Sequence, residues 1–310
     1  MALTIGQGIA VSYPAVLNRM RKAANQWVQS SFLRELERQN AVERKSLGPT
    51  IEKTLDYQRN PGAAFLAYDL QPTSMSKTEV LTAASYEVAE ISVPIVWSKK
   101  DEVTNPTENQ KVKLIESLLT NAINSHDDLI EQYIFQTSTN GFLGLKTHVT
   151  DAGTGSDGGI DSSLETWWRN QQATYVDDTD IEAAFTTLWN ACSKGSGSDL
   201  LPTLMVSDGA TQALFEGTQQ ANQRWIDTQE LKAGFKIIGF KTARYVFSQY
   251  ADTDVNFLNA KNFNLVASKE YFRDRGDTQE IPNANGFVSK IYSALQTVTD
   301  NRSRLGVAHV

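Results

Sequence analysis

The longest helical pattern in the chain lies between residues 104 and 135. Asn105 and Glu108 have the spacing of a capping box, and Pro106 fits the first helical position. Apolar or aromatic positions then recur in steps of three and four, at Val112, Ile115, Leu119, Ala122, His126, Leu129 and Tyr133, widened by Leu118, Ile123, Ile130 and Ile134. The polar side carries Lys111, Lys113, Glu116, Asn121, Asn124, Asp127, Asp128 and Glu131. A helix of about 30 residues would be about 45 Å long, which is far beyond the usual three turns of a globular helix, and its simplest interpretation is a long core helix.

A second helical pattern precedes it, in residues 14–40. Its apolar stripe consists of Leu17, Met20, Ala24, Trp27, Val28, Phe32, Leu33 and Leu36. We expect a helical arm that packs either on the body of its own chain or on a neighbouring molecule.

Helical periodicity disappears between residues 48 and 103. The stretch "TIEKTLDYQ" alternates, Pro61-Gly62 indicates a turn, and "YEVAEISVPIVW" places Ala89, Ile91, Val93, Ile95 and Trp97 on one side of a strand. Pro94 has no N–H to donate, which favours an edge strand. We therefore expect a long β-hairpin with a poorly covered edge, which invites pairing with another chain.

A glycine-rich stretch and two tryptophans follow the long helix. The letters "GTGSDG" match a dinucleotide-binding fingerprint, but no suitable strand, helix or acidic partner surrounds them, so we expect a flexible surface loop. Trp167 and Trp168 are adjacent and cannot both face one core. We expect one to point inward and the other to meet either a second layer of the chain or a partner.

From Asp180 onward strands and helices alternate. "DIEAAFTTLWNACS" and "DGATQALFEGTQQ" read as helices, while "LPTLMVS" and "GFKIIGFKTARYVFSQ" read as strands. This pattern is typical of a mixed α/β domain. The last 25 residues return to strand-like sequence and are expected to pair with the sheet beside the long helix.

Bulk composition indicates a globular chain with an uneven charge distribution. The 310 residues are 40% hydrophobic and 21% charged, with a net charge of −7, and Cys192 is the single cysteine. Neither a signal peptide nor a membrane span is evident. The first 50 residues hold seven basic and three acidic side chains, a balance of +4 that leaves −11 for the rest. This basic end is either a polyanion-facing segment or the solvated side of an amphipathic helix.

Catalytic and metal-binding motifs are not found. His126, His148 and His309 lack ligand spacing, Cys192 has no second cysteine, and neither a nucleophile elbow nor a phosphate-binding loop occurs. The acidic pairs Asp127-Asp128 and Asp177-Asp178 suit solvated surfaces. We therefore predict no catalytic, cofactor-binding or metal-binding residues and no enzymatic activity.

The order of these elements resembles the major capsid protein of tailed double-stranded-DNA bacteriophages, whose fold encapsulin shells share. "ISVPIVWSKKDEVTN", "GIDSSLETWWRN" and "NRSRLGVAHV" are similar to segments of that family. The resemblance implies an α+β capsid fold with four parts, namely an N-terminal arm (1–47), an extended β-hairpin loop (48–103), a peripheral domain with a spine helix on a β-sheet (104–175 and 286–310), and a central mixed α/β axial domain (176–285).

The resemblance also implies function and partners. We expect hexamers and pentamers that form an icosahedral shell around double-stranded DNA, in a virion assembled in the host cytoplasm, with no membrane contact. A separate scaffolding protein is expected because only 47 residues precede the loop, and a portal is expected too. The arm residues expected to face DNA by non-specific contact are Arg19, Arg21 and Lys22. The expected inter-subunit contacts are Tyr57, Arg59, Trp97, Trp168 and Arg169.

Three alternatives stay open at this point. An encapsulin-like compartment would use the same fold around a protein cargo. A soluble α/β hydrolase-type enzyme would use scattered carboxylates that only the fold brings together. A monomeric carbohydrate-binding or adhesin module is the third.

Overall fold

Two β-sheets and one long helix organise the chain. The computed structural model describes residues 31–66, 79–104, 108–137, 139–177, 179–195, 197–218 and 238–310. The helices are α1 (Ser31–Arg38), α2 (Lys99–Thr104), α3 (Glu108–Ile134), α4 (Leu145–His148), α5 (Ile181–Cys192) and α6 (Gly209–Thr218), with 3₁₀ turns at Thr166–Trp168, Ser198–Leu200 and Arg302–Arg304. The strands are β1 (Val42–Lys45), β2 (Thr50–Asp56), β3 (Leu81–Glu87), β4 (Ala89–Ser98), β5 (Ser156–Asp157), β6 (Ile160–Asp161), β7 (Gln171–Thr174), β8 (Leu204–Ser207), β9 (Ile238–Phe240), β10 (Ala243–Phe247), β11 (Val255–Leu258), β12 (Phe263–Arg275), β13 (Gln279–Glu280), β14 (Gly286–Thr299) and β15 (Gly306–His309).

The first sheet is built around β14, which pairs with β12 and β13 along one side and with β4 along the other. Along β4, side chains alternate between the helix-covered face and solvent, and Ile95 and Trp97 are buried as the alternation predicted. Among the described strands β4 pairs with β14 alone, so Pro94 lies on an edge strand, as expected.

The long helix α3 covers the buried face of this sheet. Its 27 residues span about 40 Å, and Ile115, Leu119 and Ile123 pack against Ile95 and Ile291. The predicted stripe is confirmed at these positions. Asn105 and Pro106, the predicted start of the helix, lie outside the described residues.

The second sheet has six strands in the order β7-β15-β11-β8-β10-β9. Helices α5 and α6 cover one face, where Phe185 contacts the rings of Phe215, Phe240, Tyr245 and Phe257. The opposite face packs on α1 and on the end of α3. The helices and strands predicted between residues 180 and 248 are confirmed at 181–192, 204–207, 209–218, 238–240 and 243–247, while residues 219–237 lie outside the described residues.

Two strands lie in a different sheet from the one predicted. The last strand, β15, pairs with β11 and β7 in the six-stranded sheet, whereas it was expected beside the long helix. Conversely, β12 lies within the predicted axial segment but pairs with β1 and β14 in the first sheet. Strand β1 lies far from β12 in sequence and β7 lies far from β15, which is why local patterns assigned both strands to the neighbouring sheet.

Candidate assembly surface

A two-stranded hairpin, β2–β3, exposes every second residue of both its strands. Its strands pair from Thr50↔Glu87 to Asp56↔Leu81. Among the described strands, neither pairs with a third. A two-stranded hairpin is marginal by itself in water, so it needs cover on at least one face.

One face of the hairpin is covered by its own chain, which the sequence had not indicated. Leu55, Ala84 and Tyr86 are buried in a cluster with Trp168 and Val266. The opposite face of the two strands is exposed. Phe65 is 100% exposed, Leu66 54% and Leu81 61%, so within the described residues these large apolar side chains are left largely uncovered. The predicted turn at Pro61-Gly62 is present, closed by a bond from the Gly62 N–H to Asn60 Oδ1.

The glycine-rich stretch supports the covered face of the hairpin. Gly158 has a positive φ of +59°, and a Cβ there would lie 2.6 Å from the Cβ of Ala84 and 3.0 Å from the Tyr86 ring. The Ser85 N–H donates to the Gly158 carbonyl at 3.0 Å. Gly153, Asp157 and Gly158 are buried, so the expectation of a flexible surface loop is wrong for this part of the stretch. The close approach of the loop to the hairpin explains why glycine is required.

A buried polar cluster holds this loop on the first sheet. His148 Nδ1 lies 3.0 Å from Asp157 Oδ2 and its Nε2 lies 3.0 Å from Thr297 Oγ1, with both His148 and Asp157 side chains fully buried. Arg302 is fully buried too, and donates to the carbonyls of His148 and Gly155 and to the Ser162 hydroxyl. Burial lowers the pKa of Arg302, and the Asp157 carboxylate opposes that effect by favouring the cation.

Tyr86 ties the hairpin to the same sheet. Its hydroxyl donates to the Thr299 carbonyl at 2.9 Å. Burial raises the pKa of Tyr86 far above its ordinary value, and the nearby Asp157 charge adds to the shift. The phenol is therefore a permanent donor and has a structural role.

Two of the predicted inter-subunit contacts, Trp97 and Trp168, are buried within the described chain. Trp168 is 1% exposed and donates from Nε1 to the Asp157 carbonyl, and Trp97 is 3% exposed under the long helix. Their part in contacts between subunits stays a prediction. The neighbouring residue Trp167 is half-buried, and its ring stacks on the Tyr57 ring with centroids 5.2 Å apart.

The other predicted contacts lie nearer the surface. Tyr57 is half-buried and donates to the Glu79 carbonyl, while Arg59 is exposed beside the hairpin turn. Arg169 is half-buried and donates to the carbonyls of Ser162 and Ser163, so it fastens the glycine-rich loop. Tyr57 and Arg59 both follow β2 at the outer part of the hairpin, whereas Trp97 lies on β4 in the first sheet. Arg19, Arg21 and Lys22 lie outside the described residues.

Glu131 lies where α1 packs on the long helix, although the helical pattern placed it on the polar side. Glu131 is 1% exposed, and the Ser248 hydroxyl donates to its Oε1 at 2.6 Å. Burial raises the pKa of Glu131 to about 7, against the opposing effect of the Ser248 hydroxyl and of the Leu33 and Phe32 N–H groups at the start of α1. Segments distant in sequence, α1 and the chain around Ser248, pack against this position, so the helical pattern alone could not reveal its burial.

Where side chains are described, His, Cys, Asp and Glu do not gather in groups of three that could hold a metal ion. Within the described ranges, no helix is both long enough and apolar enough to span a membrane.

These features define an α+β subunit with an extended hairpin, a long helix on one sheet and a second sheet behind it. The same architecture occurs in solved shell proteins. The capsid of cyanophage A-1(L) matches with a TM-score of 0.65 and 14% identity over 91% of this chain and 94% of that chain. The capsid of a native GTA particle matches with a TM-score of 0.60 and 10% identity over 88% and 89%.

An encapsulin complex from Synechococcus elongatus also matches, with a TM-score of 0.53 and 9% identity over 91% of this chain and 89% of that chain. No protein-family model and no curated protein matches the sequence. The chain therefore has the fold of tailed-phage capsid and encapsulin subunits, which confirms the predicted fold class.

Proposed function

We propose that this protein is a major capsid protein that assembles into an icosahedral shell around double-stranded DNA. The observation that carries the proposal is the fold likeness to phage capsid subunits over about nine tenths of both chains. A match of this extent spans most of the chain rather than one shared motif. It favours a structural role over the enzyme and adhesin alternatives, and the proposal assigns no catalytic residue.

The exposed hairpin supports self-association. An edge strand and a fully exposed Phe65 are liabilities in a monomer, because both attract other chains. In a shell, the outer part of the hairpin lies across a neighbouring subunit, and the contact with Tyr57, Arg59, Phe65 and Leu66 covers it. Hexamers and pentamers built from such contacts gain stability from many repeated interfaces.

The remaining partners belong to the same proposal. The basic arm with Arg19, Arg21 and Lys22 contacts packaged DNA without sequence specificity and in a salt-sensitive way. A separate scaffolding protein and a portal take part in assembly, in the host cytoplasm, and the mature protein resides in the virion.

The four predicted parts are proposed with their original boundaries of 1–47, 48–103, 104–175 with 286–310, and 176–285. Strand pairing supports several changes in membership. Strands β1, β4 and β12 belong with the sheet of the long helix, and β15 belongs with the six-stranded sheet.

An encapsulin-like compartment is the second candidate, since an encapsulin shares the fold over 89% of its own chain. Such a shell would enclose a protein cargo. The nucleic acid content of purified particles separates the two functions.

Assembly is tested by replacing residues 59–78 with an Asn-Gly turn. The replacement keeps the buried face of the hairpin, because Leu55, Ala84 and Tyr86 stay in place. We expect a folded subunit with unchanged chemical denaturation but no closed shells in electron microscopy or sedimentation. A matched control, V176S/V310S, removes exposed apolar side chains elsewhere and should still form shells. A wild-type protein that stays a 34.4 kDa monomer under all assembly conditions would overturn the proposed function.

A further inference from the structure

We infer that the glycine-rich loop and the tryptophan pair form a preformed support that fixes the direction of the β2–β3 hairpin before any neighbour binds. This hairpin support consists of residues 153–162 together with Trp167 and Trp168. The inference deepens the proposed function and rests on it, because hairpin direction has a consequence only if the hairpin joins subunits.

The inner part of the support is a tight contact at Gly158. Its α-carbon faces Ala84 and the Tyr86 ring so closely that any side chain would displace one of them. The Gly158 carbonyl also accepts the Ser85 N–H at 3.0 Å. The hairpin is thus held both by packing and by a backbone hydrogen bond, at strand positions near its base.

The outer part of the support is an aromatic stack. Tyr57 follows the end of β2 and stacks on Trp167 at 5.2 Å, and Trp167 in turn contacts Trp168 at 5.4 Å. Trp167 Nε1 donates to the Glu165 carboxylate at 2.6 Å, which fixes its ring orientation. Two contacts therefore support the hairpin, one at residues 84–86 near its base and one at Tyr57, just beyond the end of β2.

The support itself is anchored rigidly. Arg302 holds the Gly155 carbonyl and the Ser162 hydroxyl from below, and His148 holds Asp157. These partners are fully buried side chains, so the loop cannot move without exposing or unpairing charged groups.

The mechanical consequence follows from the length of the hairpin. Seven residues per strand extend about 23 Å, so a tilt of about 10° at the base would shift the far end by about 4 Å. A shift of that size would break contacts with a neighbouring subunit or change the angle between subunits. A prepositioned hairpin also avoids the entropy cost of ordering it during assembly.

Neighbouring glycines provide the matched test. Gly158 and Gly159 both have positive φ, so alanine strains the backbone at each, but a Cβ at Gly159 meets nothing within 4 Å. We expect Gly158→Ala to raise hydrogen exchange of the Ser85 N–H by about tenfold or more and to give no shells or shells of altered diameter. Gly159→Ala should keep Ser85 protected and shell diameter unchanged. Normal shells with a protected Ser85 in Gly158→Ala would overturn the inference.

A second pair of variants covers the case in which Gly158→Ala does not fold. Trp167→Ala removes the outer stack and should expose the Tyr57 N–H, which donates to the Val80 carbonyl, whereas Trp167→Phe should keep it protected. Equal protection in both variants would contradict the outer support. If the wild type forms no shells, the proposed function fails, and the exchange measurements alone decide whether the support exists.

Discussion

Glu131 is a buried carboxyl at the point where α1, α3 and the six-stranded sheet meet. The Ser248 hydroxyl donates a hydrogen bond to the Glu131 carboxyl. The charge of Asp128, on the same helix, disfavours ionisation of Glu131, whereas the N–H groups of Phe32 and Leu33 favour it. Tyr250, which follows Ser248, donates to Asp128 rather than to Glu131. Burial exceeds these opposing effects, so the pKa rises from 4.5 to about 7.

A raised pKa makes stability depend on pH in a defined direction. The folded state holds a proton that the unfolded state releases between pH 4.5 and about 7, so the free energy of unfolding falls as pH rises through this window. At pH 8 the loss from this group is about 3 kcal/mol. Glu131→Gln stays neutral at every pH, so urea unfolding from pH 4.5 to 8 should show the variant gaining about that amount relative to wild type.

The control for this prediction is Glu52→Gln, which changes an exposed carboxyl on β2. Its unfolding curve should parallel that of the wild type at each pH. A constant difference between Glu131→Gln and wild type over the whole range would show that folding does not raise the pKa of Glu131.

Single positions were the least predictable level of this molecule. Glu131 lies on the polar side of the helical pattern, and Trp97 and Trp168 are of a residue type that is enriched at interfaces. Their environments are decided by segments far away in sequence, namely α1 for Glu131 and the β2–β3 hairpin with the first sheet for Trp168. A charge or an aromatic ring has no periodic signal that reports which distant segment covers it.

At the scale of elements, the long helix illustrates what a local pattern can predict. The 3.6-residue repeat identified α3, and the two-residue repeat identified β4, because each period is set by the backbone geometry of one element. The two meet in a core of Leu119, Ile115 and Ile123 against Ile95 and Ile291. The glycine-rich loop was misjudged because its order comes from contacts with other elements.

Truncation of this core should weaken the subunit. Leu119 is fully buried, so Leu119→Ala should lower the free energy of unfolding by about 2–5 kcal/mol, through lost burial and the cavity left behind. Lys113→Ala on the exposed side of the same helix should change it by less than about 0.5 kcal/mol. Chemical denaturation of both variants measures the difference, and equal effects would mean that α3 does not rest on the sheet as described.

At the scale of the whole molecule, the order of parts was predictable but the exchange of strands between sheets was not. Strand β1 pairs with β12, with Val42 opposite Leu265, and the chain leaves the first sheet after Thr299 to enter the second at Gly306. Pairings over more than 200 residues leave no trace in local hydrophobicity. The short crossover between β14 and β15 contains Arg302, which therefore lies where both sheets and the hairpin support meet.

Arg302 should consequently stabilise the molecule more than its surface neighbour does. Arg302→Met would leave Asp157 as a buried charge without its compensating cation and would remove the side-chain donor to the His148 carbonyl, at a cost of about 3–5 kcal/mol in chemical denaturation. The Gly155 carbonyl, in contrast, keeps its bonds from Ser162. Arg304→Met is the control, because that side chain is half-buried with long contacts of 3.3 and 3.4 Å, and it should cost less than about 1 kcal/mol. Adding Asp157→Asn to Arg302→Met should recover part of the loss, since the uncompensated charge disappears. If the double variant is no more stable than Arg302→Met, charge compensation is not what Arg302 contributes, and its hydrogen bonds to the loop carry the effect.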